Sequence, residues 1–360
     1  MTQAIHIEPV PPEERGSLPL PTELAFGNLF SDHMFLQHYT PESGWANAVI
    51  SKLKQLPLHP AAAVLHYGQE IFEGLKAYRR PDGEINLFRP KANFRRFNDS
   101  AKRVVMPTVD EDFHLLALKK LIALDERWVP TQPGASLYIR PAMIATSPKL
   151  GLAASTEYMH FIITGPVGPY FKGGFKPVSV YVSDFCRRAV IGGIGEAKTG
   201  GNYVASLQMS EEVARKGYTQ VLWLDAIEGR FVEEVGAMNI CFVYEGSRIV
   251  TPKLSGSILA GITRDSLLTL APALGYEVSE ERVDINEILA GIQSGKVTEV
   301  FGCGTAAVIS PVGNLHYRGE DYPINDNATG PVSKHLYDEL TGIQYGTSED
   351  RFGWTETVAT

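Results

Sequence analysis

The chain has 360 residues, 44% of them hydrophobic and 21% charged. That is ordinary globular composition, with length enough for about two domains. Its 33 basic and 41 acidic residues leave a formal net charge of -8, which argues against a nucleic-acid binder, and no apolar run approaches the length of a membrane span.

The N-terminus carries Pro9, Pro11, Pro12, Pro19 and Pro21 with Glu8, Glu13 and Glu14. This is neither a signal peptide nor a basic transit peptide. An extended arm over residues 1–22 and a cytoplasmic location are expected. Ala61 to Tyr67 and Glu84 to Phe88 are predicted strands, with a turn at Pro81-Asp82-Gly83. A helix is predicted over Ala92 to Val105, closed by Pro107. A second runs from Asp112 to Trp128, apolar at Leu115, Leu118, Leu121, Ile122 and Leu124. Strands follow at Ser136 to Ile144 and Met159 to Thr164.

Glycines 165, 168, 173 and 174 and prolines 166, 169 and 177 then mark the best domain boundary. The expected division is a small α/β domain over 23–166, an interdomain loop over 167–177 and a large C-terminal domain over 178–360. After the boundary come a strand at Val178 to Ser183 and a helix at Asn202 to Lys216 capped by Gly217. Strands are predicted at Gln220 to Leu224, Asn239 to Tyr244, Tyr276 to Val283 and Val297 to Phe301. A helix follows Ser255-Gly256-Ser257 and ends at Gly275, and another spans Ile285 to Ser294. Strands do not alternate regularly with helices, so the class is α+β with mixed sheets.

Cys186, Cys241 and Cys303 make no disulfide framework and no metal-ligand spacing. The nine histidines form no H-x-x-x-H pair. No metal is expected.

Lys198 is the residue that points to chemistry. It lies in Gly192-Gly193-Ile194-Gly195-Glu196-Ala197-Lys198-Thr199-Gly200-Gly201-Asn202-Tyr203. Glycines on both sides let a large planar group approach one amine, and such an amine can form a Schiff base. A solvated lysine on a surface loop is the bland alternative. A nucleotide hydrolase is another. Gly192 to Thr199 nearly matches G-x-x-x-x-G-K-[ST], and Val221 to Asp225 could pass for a strand ending in a magnesium ligand. Against it, Ala197 replaces the second glycine, and Gly200-Gly201 follows where a helix must begin.

Six motifs, one of them within the Lys198 run, decide between these. They are Phe72-Glu73-Gly74-Leu75-Lys76-Ala77, Leu87-Phe88-Arg89-Pro90, Tyr138-Ile139-Arg140-Pro141, Gly195-Glu196-Ala197-Lys198 with Gly200-Gly201-Asn202-Tyr203, Glu234-Val235-Gly236-Ala237-Met238-Asn239, and Phe301-Gly302-Cys303-Gly304-Thr305-Ala306. In this order, from about Leu24 to Gly346, the chain resembles a branched-chain amino-acid aminotransferase. That family consists of pyridoxal-phosphate enzymes with the two-domain fold-type IV architecture, like D-amino-acid aminotransferase, with mixed sheets and flanking helices.

The resemblance implies pyridoxal 5'-phosphate as cofactor and Lys198 as the residue that holds it. It implies Glu234 on the ring nitrogen, which must stay protonated for the ring to act as an electron sink, with Glu233 facing the other way. Tyr203 is implied on the ring hydroxyl. Arg96 and Thr305 are implied on the phosphate, and Arg188 on the cofactor side. Ser257 and Ile258 are expected at a helix start, where amides and dipole favour an anion. Phe26, Tyr67, Phe72, Tyr138, Tyr170 and Tyr203 are implied as aromatic walls of the substrate pocket, although each could instead be a core aromatic. Backbone amides near Ala237 and Ala306 would meet the α-carboxylate. Arg140 would admit the second carboxylate of glutamate or 2-oxoglutarate.

The implied substrates are branched-chain amino acids, glutamate and their 2-oxo acids. The implied assembly is a homodimer in which the loop of Leu150, Gly151 and Leu152 reaches the partner's pocket. Two departures from close relatives stand out. Ala237 occupies a position often held by threonine. Ala306-Ala307-Val308-Ile309-Ser310 lacks the C-x-x-C pair of some vertebrate members, so no thiol switch is expected. D-amino-acid aminotransferase and aminodeoxychorismate lyase share the lysine and glutamate and remain alternatives.

Overall fold

The structure, a computed structural model, describes residues 4–168 and 175–359. The chain divides into two units. One contains the described residues up to 168, Ala197–Gly200 and the segment from Gly342 onward; the other contains the described residues from 175 to Glu196 and Gly201–Thr341. Set beside the expected division at 167–177, four residues around Lys198 and the C-terminal tail belong with the N-terminal unit.

In the first unit the N-terminal arm is docked, since His6–Ile7 (β1) pairs in parallel with the strand at residues 49 and 50. The arm leads to an unpredicted hairpin, His33–Thr40 (β2) and Gly44–Lys52 (β3). Residues 33–37 of β2 are buried on both faces, so they show no alternation for a sequence reading to detect. Ala63–Tyr67 (α1) is a short helix rather than the expected strand. A short apolar run cannot be assigned by periodicity, and here Gly68 closes the turn at φ 60°, its N–H donating to the Val64 carbonyl at 3.1 Å.

The unit continues with Glu70–Phe72 (β4), Leu75–Arg79 (β5), Ile85–Phe88 (β6), Pro90–Arg103 (α2), Glu111–Leu124 (α3), Ser136–Ala145 (β7) and Tyr158–Val167 (β8). Pro90 opens α2 at its first turn, where its missing N–H costs nothing. Asn93, Arg96 and Ser100 recur on α2 at helical spacing and share one face.

The second unit comprises Val178–Val182 (β9), Gly200–Arg215 (α4, which begins at the unit boundary), Gln220–Leu224 (β10), Val232–Val235 (β11), Asn239–Tyr244 (β12), Arg248–Pro252 (β13), Ile262–Ala273 (α5), Glu277–Glu281 (β14), Ile285–Gln293 (α6), Val297–Gly304 (β15), Val308–Tyr317 (β16) and Glu320–Pro323 (β17). Pro331–Tyr345 (α7) leads back towards the first unit, and Thr355–Val358 (β18) pairs there with β6.

The first sheet runs β1-β3-β2-β8-β7-β5-β6-β18, with β4 on β7. The second runs β11-β10-β9-β16-β15-β12-β13-β14, with β17 on β16. Parallel pairs β9/β10, β9/β16 and β13/β14 make the second sheet mixed. Each sheet has its own apolar core: Phe35, Ile50, Leu87, Leu118, Leu121 and Leu137 in the first unit, and Leu222, Ile240, Phe242, Ile288, Val300 and Leu315 in the second. Among the described residues no helix is long and apolar enough to cross a membrane.

Candidate active site

In the first unit Lys198 is fixed through its backbone. Its N–H donates to Ser100 Oγ at 2.9 Å, and its carbonyl accepts from Phe72 N at 3.0 Å. On its C-terminal side Thr199 Oγ1 donates to the Glu70 carbonyl at 2.7 Å, and the Gly200 N–H donates to the Glu70 carboxylate. A side chain at position 200 would collide with that carboxylate. The glycine here therefore serves close approach.

The Lys198 amine lies 4.9 Å from the centre of the Phe72 ring, and the Arg140 guanidinium lies 4.6 Å from the same centre. Phe72 stands on β4, opposite Ala142 of β7, and Arg140 is two residues along that strand. Arg140 also donates to the Tyr138 hydroxyl at 2.9 Å. Phe26 meets the Tyr138 ring edge-on at 4.9 Å. Phe26, Tyr138 and Arg140 line a cavity of 330 Å³ with Leu29, Ile163 and Val167. Its walls are mostly apolar with one guanidinium, as a site for an aliphatic chain with a selective polar contact requires. Tyr67 donates its hydroxyl to the Leu150 carbonyl, which ties the exposed Leu150–Leu152 loop to α1. Tyr170 lies outside the described residues.

Arg96 is held rather than loose. Its guanidinium donates to both oxygens of Glu73, and Oε2 also accepts from Asn93 and from the Gly74 amide. Glu73 has no exposed surface. Burial alone would raise its carboxyl; the charge and hydrogen bonds of Arg96, the Lys198 charge and Asn93 bring it below the usual carboxylate range.

In the second unit Glu234 accepts from Leu259 N at 2.8 Å, and its other oxygen faces Arg188 Nε at 3.1 Å. Arg188 also donates to the Ser257 carbonyl at 2.7 Å. Glu233 turns to a different partner, the Ser257 hydroxyl, and both glutamates are buried. Tyr203 is half-buried on the first turn of α4. Thr305 and Ala306 follow β15, half-buried, and Ala237 is exposed in the turn between β11 and β12.

Ser257 and Ile258 do not begin a helix. They lie in a buried bend, and α5 starts at Ile262 behind Gly261. The glycines at 256 and 261 and the bonds to Glu233 and Arg188 keep this segment out of helical geometry. The anion-favouring first turn is therefore that of Ile262 and Thr263.

Asp225 serves a turn, not a metal. Its carboxylate accepts from the backbone N–H groups of Ile227, Glu228, Arg230 and Phe231. The hydrolase alternative loses its magnesium ligand, although α4 does begin directly after Thr199.

Residues 70–315 match the family model of class IV amino-transferases. The chain is 50% identical over 341 residues to the Branched-chain-amino-acid aminotransferase 2 of Bacillus subtilis (strain 168), which covers 95% of this chain and 94% of that protein. This chain belongs to the class IV aminotransferase family, among its branched-chain-amino-acid members. Two solved structures are similar to it. The branched-chain amino acid aminotransferase from Thermobaculum terrenum in its PLP form is 25% identical with TM-score 0.73, over 91% of this chain and 98% of that one. The T.th. branched-chain amino acid aminotransferase complexed with N-(5'-phosphopyridoxyl)-L-glutamate is 26% identical with TM-score 0.73, over 90% and 98%.

The aminotransferase uses pyridoxal 5'-phosphate, and its donor set fits that group. The first unit offers an amine and a guanidinium, and the second a guanidinium, a buried carboxylate and a phenol. Sequence reasoning missed Glu73, Ser100 and Glu70, which hold Arg96 and the Lys198 segment. Glu73 lay within a quoted motif, but only its burial beside Arg96 reveals its part.

Proposed function

We propose that this aminotransferase moves an amino group between branched-chain L-amino acids and 2-oxoglutarate, giving branched-chain 2-oxo acids and L-glutamate. The observation that carries the reading is the Phe72 ring, with the Lys198 amine and the Arg140 guanidinium each within 5 Å of its centre, beside an apolar cavity that Arg140 also lines. An aliphatic side chain finds apolar walls there, and a second carboxylate finds a cation.

When bound, pyridoxal phosphate supplies an aldehyde for a lysine amine and a ring that takes up electrons. Lys198 is the amine that joins it and the base that carries a proton to and from the substrate α-carbon. Glu234, as a carboxylate, keeps a proton on the ring nitrogen, and Tyr203 hydrogen-bonds the ring hydroxyl. Arg96 and Thr305 hold the phosphate together with backbone amides of the Ser257–Ile258 bend, and Arg188 stands on the cofactor side beside Glu234. Amides near Ala237 and Ala306 orient the α-carboxylate. Phe26, Tyr67, Phe72 and Tyr138 shield the reacting carbon from water. The T.th. relative solved with a phosphopyridoxyl-L-glutamate supports glutamate as the shared substrate.

The working form we assign is a cytoplasmic homodimer in which the exposed Leu150–Leu152 loop covers the partner's pocket. The substrate assignment is tested by mixing the holoenzyme in single turnover with L-leucine, L-glutamate or D-alanine. Conversion by the two L-amino acids and none by D-alanine is the expected result. Faster conversion by D-alanine than by L-leucine would replace this reading with that of a D-amino-acid aminotransferase.

A further inference from the structure

One wall of the Arg140 cavity is a loop without a core of its own. Strands β7 and β8 supply part of the lining, where Tyr138 pairs with Gly165 and Arg140 with Ile163. Phe26, Leu29 and Phe30 supply another wall. No residue from 17 to 30 is buried, and Phe26 and Phe30 are 48% and 47% exposed. Apolar packing inside the loop therefore does not fix where this wall stands.

Two features outside the loop do fix it. The first is Asp32. Its carboxylate accepts from the Gly16 N–H at 2.7 Å, from Trp128 Nε1 at 2.8 Å and from an Arg127 terminal nitrogen at 2.9 Å. The same guanidinium donates to the Gly16 carbonyl. Gly16 and Asp32 bracket the loop, so one carboxylate closes it at both ends, in the manner of an Ω-loop. The Asp32 side chain is 6% exposed, and charge-assisted bonds of this kind are the strong ones.

The second feature is Gly165. In the sequence Gly165 and Gly168 mark a domain boundary, but in the fold both serve close approach. A side chain at 165 would collide with the Leu29 carbonyl, and one at 168 with the Leu24 carbonyl. Both obstacles are main chain, so neither can swing aside, and the loop itself would have to lift. Beside Gly165, the Ser31 N–H donates to the Thr164 carbonyl at 2.8 Å, and the two hydroxyls meet at 2.6 Å.

We infer that Asp32 and Gly165 set the width of the substrate cavity, Asp32 by closing the 17–31 loop and Gly165 by seating Leu29 against β8. The inference rests on the proposed reading that this cavity receives the substrate side chain. Asp32 is a positioning residue, since it acts through the loop. In an apolar pocket the fit of one methylene group is worth about 10–200-fold in kcat/KM. Displacing the wall should therefore weaken selection of aliphatic chains. Glutamate has a second anchor in Arg140 and depends less on the wall.

The test compares wild-type holoenzyme with Asp32→Asn, which puts an N–H against one of the three donors, and with Gly165→Ala. Hydrogen exchange should quicken over residues 17–30 in both variants and stay slow in the strands of the first sheet. The preference for L-leucine over L-alanine in kcat/KM should fall about tenfold, while turnover of L-glutamate changes less. Thermal melts check folding. A wild-type measurement does not depend on the variants: 4-methylpentanoate, which has the leucine side chain and no amine, should slow exchange over residues 17–30. Folded variants that keep both the leucine preference and wild-type exchange would overturn the inference. So would 4-methylpentanoate that binds and leaves the loop unchanged. A wild type that does not convert L-leucine would instead sink the substrate reading, and exchange in the variants would still decide whether Asp32 and Gly165 hold the loop.

Discussion

Arg96 and Glu73 form a two-pronged ion pair inside the first unit, Nε to Oε1 at 2.7 Å and the terminal nitrogen to Oε2 at 2.9 Å. The guanidinium that the proposal puts on a phosphate is thus already oriented by a carboxylate with no exposed surface. Removing one member of such a pair leaves a buried charge, at a cost of about 3–5 kcal/mol. Glu73→Ala should therefore lower Tm sharply, and Glu73→Gln should do so less. The pH dependence has a definite sign. The folded carboxyl titrates below its ordinary 4.5, so its contribution is complete above that value and fades as pH falls through the folded one. Glu73→Gln should flatten the acid limb below about pH 4.5, as read by urea unfolding at several pH values. An unchanged acid limb would remove Glu73 from this role.

The covalent assignment has a structural rival in Lys76. It is buried on β5, and burial brings its amine down to about 8, so a far larger fraction of it is neutral near physiological pH than of an ordinary lysine. Lys198 is half-buried and has glycines around it. Borohydride reduction of the holoenzyme followed by peptide mapping should place the pyridoxyl group on Lys198. Modification of Lys76 instead would show that accessibility does not decide the site.

Glu234 and Glu233 are both buried but differ in partners. Glu234→Gln should reduce kcat far more than substrate affinity, because the electron sink weakens. Burial raises the Glu233 carboxyl, opposed by the Ser257 hydrogen bond and the Arg188 charge. A raised carboxyl contributes stability at low pH and loses it as pH rises through the folded value. Glu233→Gln should then leave kcat nearly unchanged and slightly raise Tm at neutral pH. Equal kinetic losses at the two positions would refute the division.

Arg140 should matter where the substrate has a second carboxylate. Losing a charge-assisted hydrogen bond costs about 1.5–3 kcal/mol, or roughly ten- to hundredfold in kcat/KM. Arg140→Ala should lose about that factor with glutamate and little with leucine. A uniform loss would mean that Arg140 acts by holding Tyr138 in place.

His114 and His160 give the first unit an acid limit. Their rings are 4.6 Å apart within a cluster that includes Phe35, Phe97 and Trp45. Burial brings His114 down to about 4 and His160 well below 6.5, the latter with help from His114. Both are neutral when folded. Their contribution is complete above about 6.5 and is lost as pH falls towards the folded values. Calorimetry should show Tm falling over that window, and His160→Phe should lessen the fall. An equal fall in the variant would assign the acid sensitivity to other groups.

The family, the glycine-flanked setting of Lys198 and the elements whose apolar residues follow one period were all legible in the linear chain. Gln220–Leu224 and Asn239–Tyr244 have the bounds expected of them, and α2 and α3 differ from their expected ranges by only a few residues. Local pattern could do this because one buried face imposes one period. It failed where burial is two-sided, as in β2, and where glycines and side-chain bonds override propensity, as between Ser255 and Gly261. The return of the tail strand β18 to the first sheet came from three-dimensional packing. So did the meeting of Glu73 with Arg96 and of Glu70 with the Lys198 segment. Each of these pairs joins residues distant along the chain, or depends on which way a buried side chain turns. Strand register and burial determine that, and a linear pattern does not record it.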